Sequence, residues 1–535
     1  MKYRSIDTTG YEKIMERYNT GPLVAKAVKA MGYDEKDLNS FFMPVRYTRL
    51  HHDSFQKFAD VLYDAVNSHQ KVWVFGDYDC DGLCATAIMV KLLRKLNITN
   101  GFYVPNRFTE GYGLNLNRLK QAREKGYDIL VTVDNGVSAL EELKWAKESG
   151  MKTVVTDHHQ INEPVDCDVL CHPSLLPEDY NYLCGASLAY LLADFMGLAD
   201  DSMKVLAAVA TLGDVMELRG YNVQLVREGI DLLNSHANGN ILALAPDIRF
   251  PIDENEISFK IVPRINAIGR LADKANPNQA VKFLLSVNEK EIALFASQII
   301  DLNNERKNMV TRQYPLVKKA VNENDDFLIV NVEGLHEGLL GLMASRLTDE
   351  YNKPCLIFTP SSEGLKGSGR SPSGIDIMEV LLGFKDRAIT LGGHKGACGI
   401  TIENDRYDEL VSYVKDSFSG EKEAEKEVLE VNISDLSYDN IRELFEYKPY
   451  GQGRKIPLMK IRTSNIISYQ MLKNESMLKW QLRYKNTDLA VLSFRNNEGF
   501  HYYMDKNELS FLGNLSENWF RGNVTYNLIC EEVLD

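Results

Sequence analysis

The segment Val74-Phe75-Gly76-Asp77-Tyr78-Asp79-Cys80-Asp81-Gly82 places three aspartates within five residues, where an apolar strand meets an apolar helix. Two like charges 4 Å apart repel by roughly 4 kcal/mol at an effective dielectric near 20, so a partly buried trio needs a counter-charge. Hard oxygen ligands suit Mg²⁺ or Mn²⁺, and Gly76 and Gly82 let the backbone turn tightly enough to aim several carboxylates at one point. The segment therefore predicts a fold in which the end of a strand holds a divalent cation.

Length and composition indicate a globular protein of several domains. The 535 residues predict about three or four domains. A hydrophobic fraction of 44% and a charged fraction of 25% exclude a largely disordered chain. The net charge of −14 argues against a protein that coats nucleic acid with its whole surface, but it permits a local basic groove.

Cysteine usage and hydropathy predict the compartment. The eight cysteines are scattered without CxxC pairs, and Met1-Lys2-Tyr3-Arg4-Ser5 leads into no apolar signal-like segment. No run approaches the ~18 continuous apolar residues of a membrane span. We therefore expect a reducing, cytoplasmic environment and no contact with a membrane.

Residues 53–214 alternate strand-like and helix-like segments, the pattern of a doubly wound parallel sheet. Strands are predicted over residues 71–76, 129–133 and 153–156, and helices over residues 84–96 and 137–150. Ligands of such sheets bind beyond the carboxyl ends of the strands, so polar residues at those ends are candidate site residues.

The rest of the chain predicts two further α/β and β units. The apolar spacing from Asn288 to Gln313 predicts a long helix that Pro315 disturbs. A glycine-rich α/β segment follows, then a charged linker from Glu421 to Glu430 and a tail of short alternating runs that predicts a small β-barrel. The predicted boundaries are residues 1–50 for an N-terminal extension, 51–287 for the catalytic α/β domain, 288–322 for the connecting helix, 323–420 for a companion domain and 421–535 for the linker and barrel.

Carboxylates and imidazoles recur at successive strand ends. The residues are Asp77, Asp79, Asp81, Asp134, His158, His159 and Asp214. This is a ligand set for a pair of Mn²⁺ or Mg²⁺ ions, which in two-metal sites lie ~3.5–4 Å apart and act on a phosphorus centre. The pattern therefore predicts phosphoester hydrolysis.

Capping is the alternative explanation for each residue taken alone. An isolated aspartate at a helix start, such as Asp134 or Asp214, is usually an N-cap. Capping explains less well why acidic or imidazole groups follow three strands in succession. Neighbouring side chains on an extended segment point to opposite sides, so His158 is assigned to a metal and His159 to the substrate phosphate or to support.

Four motifs resemble those of the DHH phosphoesterase superfamily. They are Gly76-Asp77-Tyr78-Asp79-Cys80-Asp81-Gly82, Asp134-Asn135-Gly136, Asp157-His158-His159 and Gly213-Asp214-Val215. Gly392-Gly393-His394 resembles the companion C-terminal domain of that superfamily. The resemblance implies two α/β lobes that flank a two-metal site.

A further set of motifs is similar to one branch, the RecJ family of single-strand-specific DNA exonucleases. They are Pro105-Asn106-Arg107, Gly111-Tyr112-Gly113-Leu114, Pro263-Arg264-Ile265-Asn266-Ala267 with Gly269-Arg270, Asn304-Glu305-Arg306, Ala344-Ser345-Arg346-Leu347 and Gly367-Ser368-Gly369-Arg370-Ser371. They run in order from about Trp73 to the C-terminus. The resemblance implies 5′ to 3′ degradation of single-stranded DNA to mononucleotides, in repair or recombination, and an oligonucleotide-binding (OB) barrel in the tail.

The resemblance also implies roles at the metal centre. The implied ligands are Asp79, Asp81, Asp134, His158 and Asp214, with Asp134 bridging the two ions. Asp77, Asp157 and His159 are implied to act beside the ions in catalysis. Some family members carry a histidine where this chain has Phe75, so one ion is expected to be held more loosely.

Candidate residues for the nucleic acid follow the same motifs. Arg107, Ser368 and Arg370 are implied for a pocket that holds the 5′ phosphate, and Arg270 and Arg306 for the path of the strand. A guanidinium suits this role because its planar fork bonds two phosphate oxygens at once. The alternative for Arg306 is an ion pair with Glu305 or Asp301 on its own helix.

Aromatic and imidazole side chains supply further candidates. His394 follows two glycines and is predicted to contact substrate, and His336 is a weaker candidate of the same kind. Tyr450 and Trp519 are candidates for base stacking in the barrel, with Trp480 and Tyr484 as additional ones. A place in the barrel core is the alternative for all four.

The sequence thus predicts a monomeric exonuclease that uses two divalent ions, Mn²⁺ or Mg²⁺, and acts on single-stranded DNA, with a helicase or a single-strand-binding protein as a candidate partner. One alternative is a phosphodiesterase of the same superfamily that hydrolyses very short oligonucleotides or cyclic dinucleotides. A second alternative is a DNA-binding scaffold without catalysis, although the liganding aspartates are all present.

Overall fold

The computed structural model describes residues 3–111, 113–418, 426–472, 477–485, 487–494, 506, 508–520 and 522–534. The strands are β1 (Tyr3–Ser5), β2 (Val72–Phe75), β3 (Asn100–Tyr103), β4 (Ile129–Val133), β5 (Lys152–Thr156), β6 (Val169–Cys171), β7 (Leu328–Asn331), β8 (Cys355–Ser361), β9 (Gly364–Arg370), β10 (Thr390–His394), β11 (Ala397–Ile402), β12 (Lys426–Val431), β13 (Met459–Thr463), β14 (Ile466–Leu472), β15 (Met477–Tyr484), β16 (Thr487–Ser493), β17 (Leu509–Phe520) and β18 (Asn523–Leu534). The α-helices are α1 (Tyr11–Tyr18), α2 (Pro22–Ala30), α3 (Glu35–Phe42), α4 (Asp53–Asn67), α5 (Cys80–Lys95), α6 (Leu116–Glu124), α7 (Leu140–Glu148), α8 (Gly185–Phe195), α9 (Asp201–Gly213), α10 (Tyr221–Asn234), α11 (Gly239–Ala243), α12 (Glu254–Glu256), α13 (Val262–Arg270), α14 (Pro277–Leu285), α15 (Glu289–Ala320), α16 (Leu340–Tyr351), α17 (Ile377–Leu381), α18 (Tyr407–Ser417) and α19 (Tyr438–Glu446). A π-helical turn, Ile257–Ile261, joins α12 to α13.

The first lobe is built on a parallel five-stranded sheet in the order β3-β2-β4-β5-β6. Successive residues of β2 point to opposite faces of the sheet. Val74 packs in the core that contains α5, and Phe75 packs in the core that contains Leu143 of α7. Helices therefore cover both faces of the sheet, which confirms the predicted doubly wound class. The carboxyl ends of β2, β4 and β5 meet at one edge.

Helix α5 begins earlier than the sequence predicts. Its first residue is Cys80, whereas the apolar spacing predicts a start at Cys84. The side chain of Asp79 accepts hydrogen bonds from the backbone N–H groups of Asp81 (2.9 Å) and Gly82 (3.0 Å), which caps the helix. The cap places Asp81 inside the first turn of a buried helix.

Helix α15 connects the two lobes. Ala296 and Ile299 pack in the core of the first lobe, and Tyr314 and Val317 pack in a core of the second. The helix continues through Pro315 to Ala320. A proline costs one backbone hydrogen bond here, and because both Pro315 and Thr311, four residues before it, are exposed, water can replace that bond.

The second lobe contains a mixed five-stranded sheet in the order β10-β11-β9-β8-β7. Its glycines have a packing role as well as a conformational one. A Cβ atom on Gly367 would collide with Cε1 of Phe358, and one on Gly369 would lie 2.6 Å from Sγ of Cys398. The small residues of β9 thus let the aromatic ring and the thiol pack directly on the strand.

The third unit, which we call the barrel domain, contains β12 to β18 in an eight-stranded sheet ordered β1-β12-β13-β17-β18-β16-β15-β14. The predicted linker over residues 421–430 lies outside the described residues as far as residue 425, and β12 begins at Lys426.

The N-terminal segment belongs to the barrel domain. β1 pairs in parallel with β12, and Leu23 of α2 and Phe41 of α3 are buried in the barrel core. A buried ion pair joins Lys26 Nζ to Asp435 Oδ2 at 2.6 Å. The sequence contains no local signal for this pairing, because Lys26 and Asp435 are separated by 409 positions.

Membrane-spanning helices and cysteines are the two remaining features that the sequence analysis considers. In the described part of the chain, no helix combines the length and the apolar character that a membrane crossing requires. All eight cysteines are free thiols, and seven of them are buried.

We expect Leu23→Ala to destabilise the barrel domain. Leu23 is fully buried, and removing a buried leucine side chain costs about 2–5 kcal/mol. Hydrogen exchange measured by mass spectrometry should show faster exchange in β12 and β13 and unchanged exchange in β4. The control is Val45→Ala, because Val45 lies in the same segment and is 61% exposed. Equal protection of β12 in wild type and Leu23→Ala would contradict this packing.

Candidate metal centre

The carboxyl edge of the first sheet brings the predicted ligands together. Asp77, Asp79 and Asp81 follow β2, Asp134 follows β4, and His158 and His159 follow β5. Asp214 comes from the end of α9, where it forms the C-cap. The capping role considered for Asp134 does not apply, because no helix starts at that residue.

His158 lies at the middle of the cluster. Its Nε2 atom is 3.1 Å from Oδ1 of Asp134, 3.6 Å from Oδ2 of Asp214 and 3.7 Å from Oδ2 of Asp81. The imidazole therefore reaches carboxylates from three separate elements of the fold.

Three overlapping groups have the geometry to hold a cation. They are Asp77 with Asp79 and Asp134, Asp81 with His158 and Asp214, and Asp134 with His158 and His159. Within each group the candidate ligand atoms lie within 4.8 Å of one another. Asp134 belongs to two groups, as a ligand shared by two ions would.

Unsatisfied polar atoms point to the same conclusion. Within the part of the chain that the structure describes, Oδ1 of Asp77, Oδ1 of Asp134 and Nε2 of His158 are buried and have no hydrogen-bond partner. Buried polar atoms without partners are rare, and a divalent cation would satisfy all three. The residues present therefore fit Mn²⁺ or Mg²⁺.

Mutual repulsion dominates the electrostatics. Burial and the charge of Asp79 raise the pKa of Asp77 well above its ordinary value, and burial together with Asp81 raises the pKa of Asp79. Burial and four neighbouring aspartates raise the pKa of Asp134 well above its ordinary value. Burial and the charge of Asp81 raise the pKa of Asp214 to about 8. Bound cations would reverse these shifts, because they favour the charged carboxylates.

Backbone amides at a helix end support Asp81. Its two carboxylate oxygens accept hydrogen bonds from the N–H groups of Gly185 (2.6 Å) and Ala186 (2.7 Å), the first residues of α8. The positive end of the helix dipole thus faces the carboxylate. Nearby, Oδ1 of Asn266 accepts a hydrogen bond of 2.8 Å from the N–H of Cys80 and fixes the start of α5. No local sequence signal predicts these supports, although Asn266 lies within one of the RecJ-like motifs.

Asp157 has a different place from the one predicted. Its carboxylate accepts hydrogen bonds from the N–H groups of Val137 (3.0 Å) and His158 (2.7 Å), and Oδ1 lies 2.8 Å from Nδ1 of His159. It therefore orients the two histidines, and we assign it a positioning role in place of the predicted catalytic one. Burial opposes the charge of His159, but the hydrogen bond and charge of Asp157 outweigh it and raise the pKa of His159 to about 9.

Two non-glycine residues at the cluster have positive φ angles. Asp134 has φ of 60° and Val215, directly after Asp214, has φ of 55°. A β-branched residue in this region is a genuine outlier, and such outliers gather at functional sites. The neighbouring Gly136 has φ of 123°, where a side chain would also meet Thr132.

Four arginines lie beside the carboxylates, in the cleft between the lobes. Burial, followed by the charges of Arg107, Arg306 and Arg370, lowers the pKa of Arg270 to about 10, while the charge of Asp79 opposes the shift. Within the described residues these four guanidinium groups form no ion pairs, and like charges grouped in this way form a site for an anion with several oxygens. The predicted residues Arg107, Arg270, Arg306 and Arg370 are thus brought together.

Local contacts hold these arginines. Nη1 of Arg370 donates to the carbonyl of Gly369 (2.7 Å) and to Oγ of Ser368 (3.4 Å), so the predicted serine lies at the same place. Nε of Arg306 donates to Oδ1 of Asn303 at 3.0 Å. The alternative pairing of Arg306 with Glu305 is not seen, because Glu305 binds Lys274.

The two histidines predicted to contact substrate, His394 and His336, lie in different surroundings. His394 is exposed on β10, and its Nδ1 atom accepts a hydrogen bond of 3.4 Å from the N–H of Gly396. His336 binds Asp273 (3.2 Å), so it serves the contact between the lobes.

The structure contradicts one of the two predicted stacking residues in the barrel. Tyr450 packs against the barrel core, and its hydroxyl donates to the carbonyl of Leu444 at 2.5 Å, so its ring has no face free for a base. Trp480 is a core residue as well, at 3% exposed, and Tyr484 packs on the same core. Trp519 is 42% exposed and stays a prediction.

Comparisons with known proteins agree with this architecture. Residues 71–213 match the DHH family, N-terminal domain, residues 324–420 match the DHHA1 domain, and residues 429–532 match the RecJ OB domain. The parallel sheet, the carboxylate and histidine cluster and the companion domain define a DHH-family protein.

Relatives narrow the assignment. The single-stranded-DNA-specific exonuclease RecJ of Bacillus subtilis is 27% identical over 96% of this chain and 68% of its own length. The RecJ of Salmonella typhimurium is 30% identical over 66% of this chain and 67% of its own length. The crystal structure of RecJ in complex with Mn²⁺ from Thermus thermophilus superposes with a TM-score of 0.84 at 25% identity, over 100% of this chain and 79% of that one. The chain belongs to the RecJ family.

We expect Gly185→Ala to damage the metal centre. A Cβ atom at this position would lie 2.6 Å from Cβ of Asp134, so either Asp134 or the start of α8 must move. Affinity for Mn²⁺ measured by calorimetry should fall by about 10- to 100-fold. The control is Gly239→Ala, whose Cβ atom would have no heavy atom within 4 Å. Unchanged affinity in Gly185→Ala would contradict the role of this contact.

We expect the stabilisation by Mn²⁺ to increase with pH. In the folded, metal-free protein the pKa values of Asp77, Asp134 and Asp214 are raised above the ordinary carboxyl value. Protonation of these groups therefore stabilises the metal-free fold at acid pH, and this stabilisation is lost as pH rises through the folded pKa values, of which that of Asp214 is about 8. Metal binding needs the same carboxylates deprotonated. The difference in Tm between Mn²⁺-loaded and chelated protein should therefore grow by about 3–8 °C from pH 6 to pH 8. The assignment would be contradicted if the difference in Tm were the same at both pH values. It would also be contradicted if Asp134→Asn showed the same difference in Tm as the wild type.

Proposed function

We propose that this protein is a metal-dependent exonuclease that degrades single-stranded DNA from the 5′ end and releases 5′-mononucleotides. The observation that carries the proposal is the juxtaposition of seven ligand-capable side chains with four arginines across one cleft. Family membership supports the substrate class, since the relatives bear the name single-stranded-DNA-specific exonuclease. The direction of degradation is a finer statement that rests on the resemblance of motifs.

The proposed ligands are Asp79, Asp81, Asp134, His158 and Asp214, and Asp77 is close enough to join them. Asp134 and His158 each belong to two of the three groups, and Asp134 is proposed as the shared ligand because a carboxylate has two oxygens to offer. When bound, two divalent cations supply the Lewis acidity that activates water and neutralises charge at phosphorus.

The chain's own groups position the phosphodiester. In the proposed reaction a water oxygen bonds to the phosphorus of the second nucleotide, the bond from phosphorus to the 3′ oxygen breaks, and that oxygen takes a proton. The hydrogen bond and charge of Asp157 favour the protonated form of His159, and this imidazole is proposed to contact the scissile phosphate. Asp157 keeps that ring in place.

The arginine cluster is proposed to hold the 5′ end. Arg370, Ser368 and Arg107 present donors for a terminal phosphate, and Arg270 and Arg306 are proposed to contact the following phosphates. His394 is exposed and is proposed as a further substrate contact. These groups would bind the phosphate backbone, so they would not discriminate between bases.

Two features argue against the alternatives. A phosphodiesterase of very short substrates has no use for a barrel domain whose sequence matches the RecJ OB domain. A scaffold without catalysis has no need for buried carboxylates without hydrogen-bond partners, which destabilise a protein unless a cation compensates them.

The proposed setting is the cytoplasm, with the chain acting as a monomer, because one chain supplies all the proposed ligands and all its thiols are free. If the cleft between the lobes admits only one strand, another protein must first separate the strands of duplex DNA. A helicase or a single-strand-binding protein is accordingly proposed as a partner.

The test uses one single strand longer than the ~16 nucleotides that an OB fold covers, labelled at either end, with Mn²⁺. A 5′ label should appear first as a mononucleotide, and a 3′ label should appear on progressively shorter strands. Asp134→Asn should slow hydrolysis by about a thousandfold while strand affinity stays within about threefold, because the arginines are untouched. Release of the 3′ label first would refute the polarity, activity restricted to dimers and trimers would favour the alternative phosphodiesterase, and unchanged hydrolysis in Asp134→Asn would refute the metal assignment.

A further inference from the structure

One helical rod joins the metal centre to the barrel domain. It consists of α12, the π-helical turn and α13. At its first end, Oε1 of Glu254 accepts a hydrogen bond of 3.1 Å from the N–H of Tyr450, and Lys448 Nζ lies 3.1 Å from Asp253. At its last end, Arg270 enters the arginine cluster. The rod therefore connects the two regions proposed to contact nucleic acid.

A second connection lies alongside the rod. The segment after Asp214 runs to Leu218, whose N–H donates to the carbonyl of Gln452 in the barrel domain at 2.8 Å. The two connections are neighbours, because a Cβ atom on Gly213 would lie 3.4 Å from Cγ1 of Val262. Together they form the surface between the metal centre and the barrel domain.

Each connection presents an apolar side chain to solvent. Phe259, in the π-helical turn, is 75% exposed, and Val215 is 65% exposed. Val215 is held in this position by a positive φ of 55°, which a β-branched residue rarely adopts. π-Helical turns and strained residues both gather at functional sites.

The charge near this surface suits a nucleic acid. Arg249 is exposed, and within the described residues its guanidinium forms no ion pair. Its N–H lies 3.4 Å from Glu256 Oε2, which places it beside the rod. Phe259 follows Glu256 by three residues, so an exposed aromatic ring and an exposed arginine belong to the same part of the rod. Surfaces that bind single strands combine such groups, because bases stack on the ring and phosphates meet the cation.

We propose that Phe259, with Val215 beside the metal centre, forms a stacking step that holds a nucleobase of the DNA strand between the cleft and the barrel domain. The proposal rests on the proposed function and deepens it, since it assigns a binding residue downstream of the scissile phosphate. It favours a base over a protein partner because the step lies on the element that ends at Arg270. The step sets how tightly a long strand is held, and it makes no contact with the reacting atoms.

The test compares Phe259→Ala and Phe259→Trp with wild type. Phe259→Ala should raise KM for a long single strand by about fivefold to a hundredfold and leave kcat within about twofold, because one base loses its stacking partner. Phe259→Trp should restore KM. Hydrolysis of a dinucleotide, which is too short to reach the step, should be the same in all variants. The matched control is Tyr63→Ala, since Tyr63 is an aromatic residue on α4 that is 46% exposed.

A second measurement locates the base. Binding of 5′-phosphorylated strands is measured in the presence of chelator, with one abasic site moved along the strand. Wild type should lose affinity when the abasic site occupies one particular position, and Phe259→Ala should show no further loss at that position. Equal KM values for wild type and Phe259→Ala, or the same abasic profile in both, would overturn the proposal, and an effect on a protein partner alone would do the same. Failure of the proposed function is separate, since it would appear as absence of hydrolysis by the wild type.

Discussion

The repulsion among buried carboxylates is the constraint on which the rest of the structure depends. Asp77, Asp81 and Asp134 are almost fully buried, and the charges of neighbouring aspartates oppose the ionisation of Asp77 and Asp134. The fold offsets part of this cost with backbone amides: Asp79 caps α5, and the first N–H groups of α8 bind Asp81. The remaining cost is left for cations to offset. A site built in this way binds divalent ions because it is unfavourable without them.

The surrounding architecture brings acidic and basic groups of both lobes to one place. The carboxylates come from one sheet edge of the first lobe, whereas Arg370 and Ser368 come from β9 of the second. Helix α15 fixes the distance between the lobes because it packs in the cores of both. Close backbone contact reinforces the junction, since a Cβ atom on Gly338 would collide with the carbonyl oxygen of Arg270. A DNA backbone bound across the cleft would therefore contact the metal ions and the arginines at a fixed separation.

The sequence predicts the metal centre well because its physics is local: aspartates and histidines follow apolar strands, and parallel strands end at one edge. It does not predict the supports, because Gly185 lies 104 positions from Asp81 and Asn266 lies 186 positions from Cys80. The docking of α8 and α13 has no local pattern. Tyr450 shows a second limit, since composition alone does not separate a core ring from a stacking ring. Likewise, the disturbance predicted at Pro315 does not interrupt α15, because exposure of the affected carbonyl decides the cost of a proline.

The pairing of β1 with β12 has a consequence for biosynthesis. Lys26 and its partner Asp435 are separated by 409 positions, so the barrel domain has very high contact order, whereas the first lobe is complete in the intervening chain. During translation the N-terminal segment must wait, with its apolar residues uncovered, until Asp435 and the strands around it have left the ribosome. The order of assembly is thereby set: the two lobes can form first, and the N-terminal segment joins the barrel domain after them.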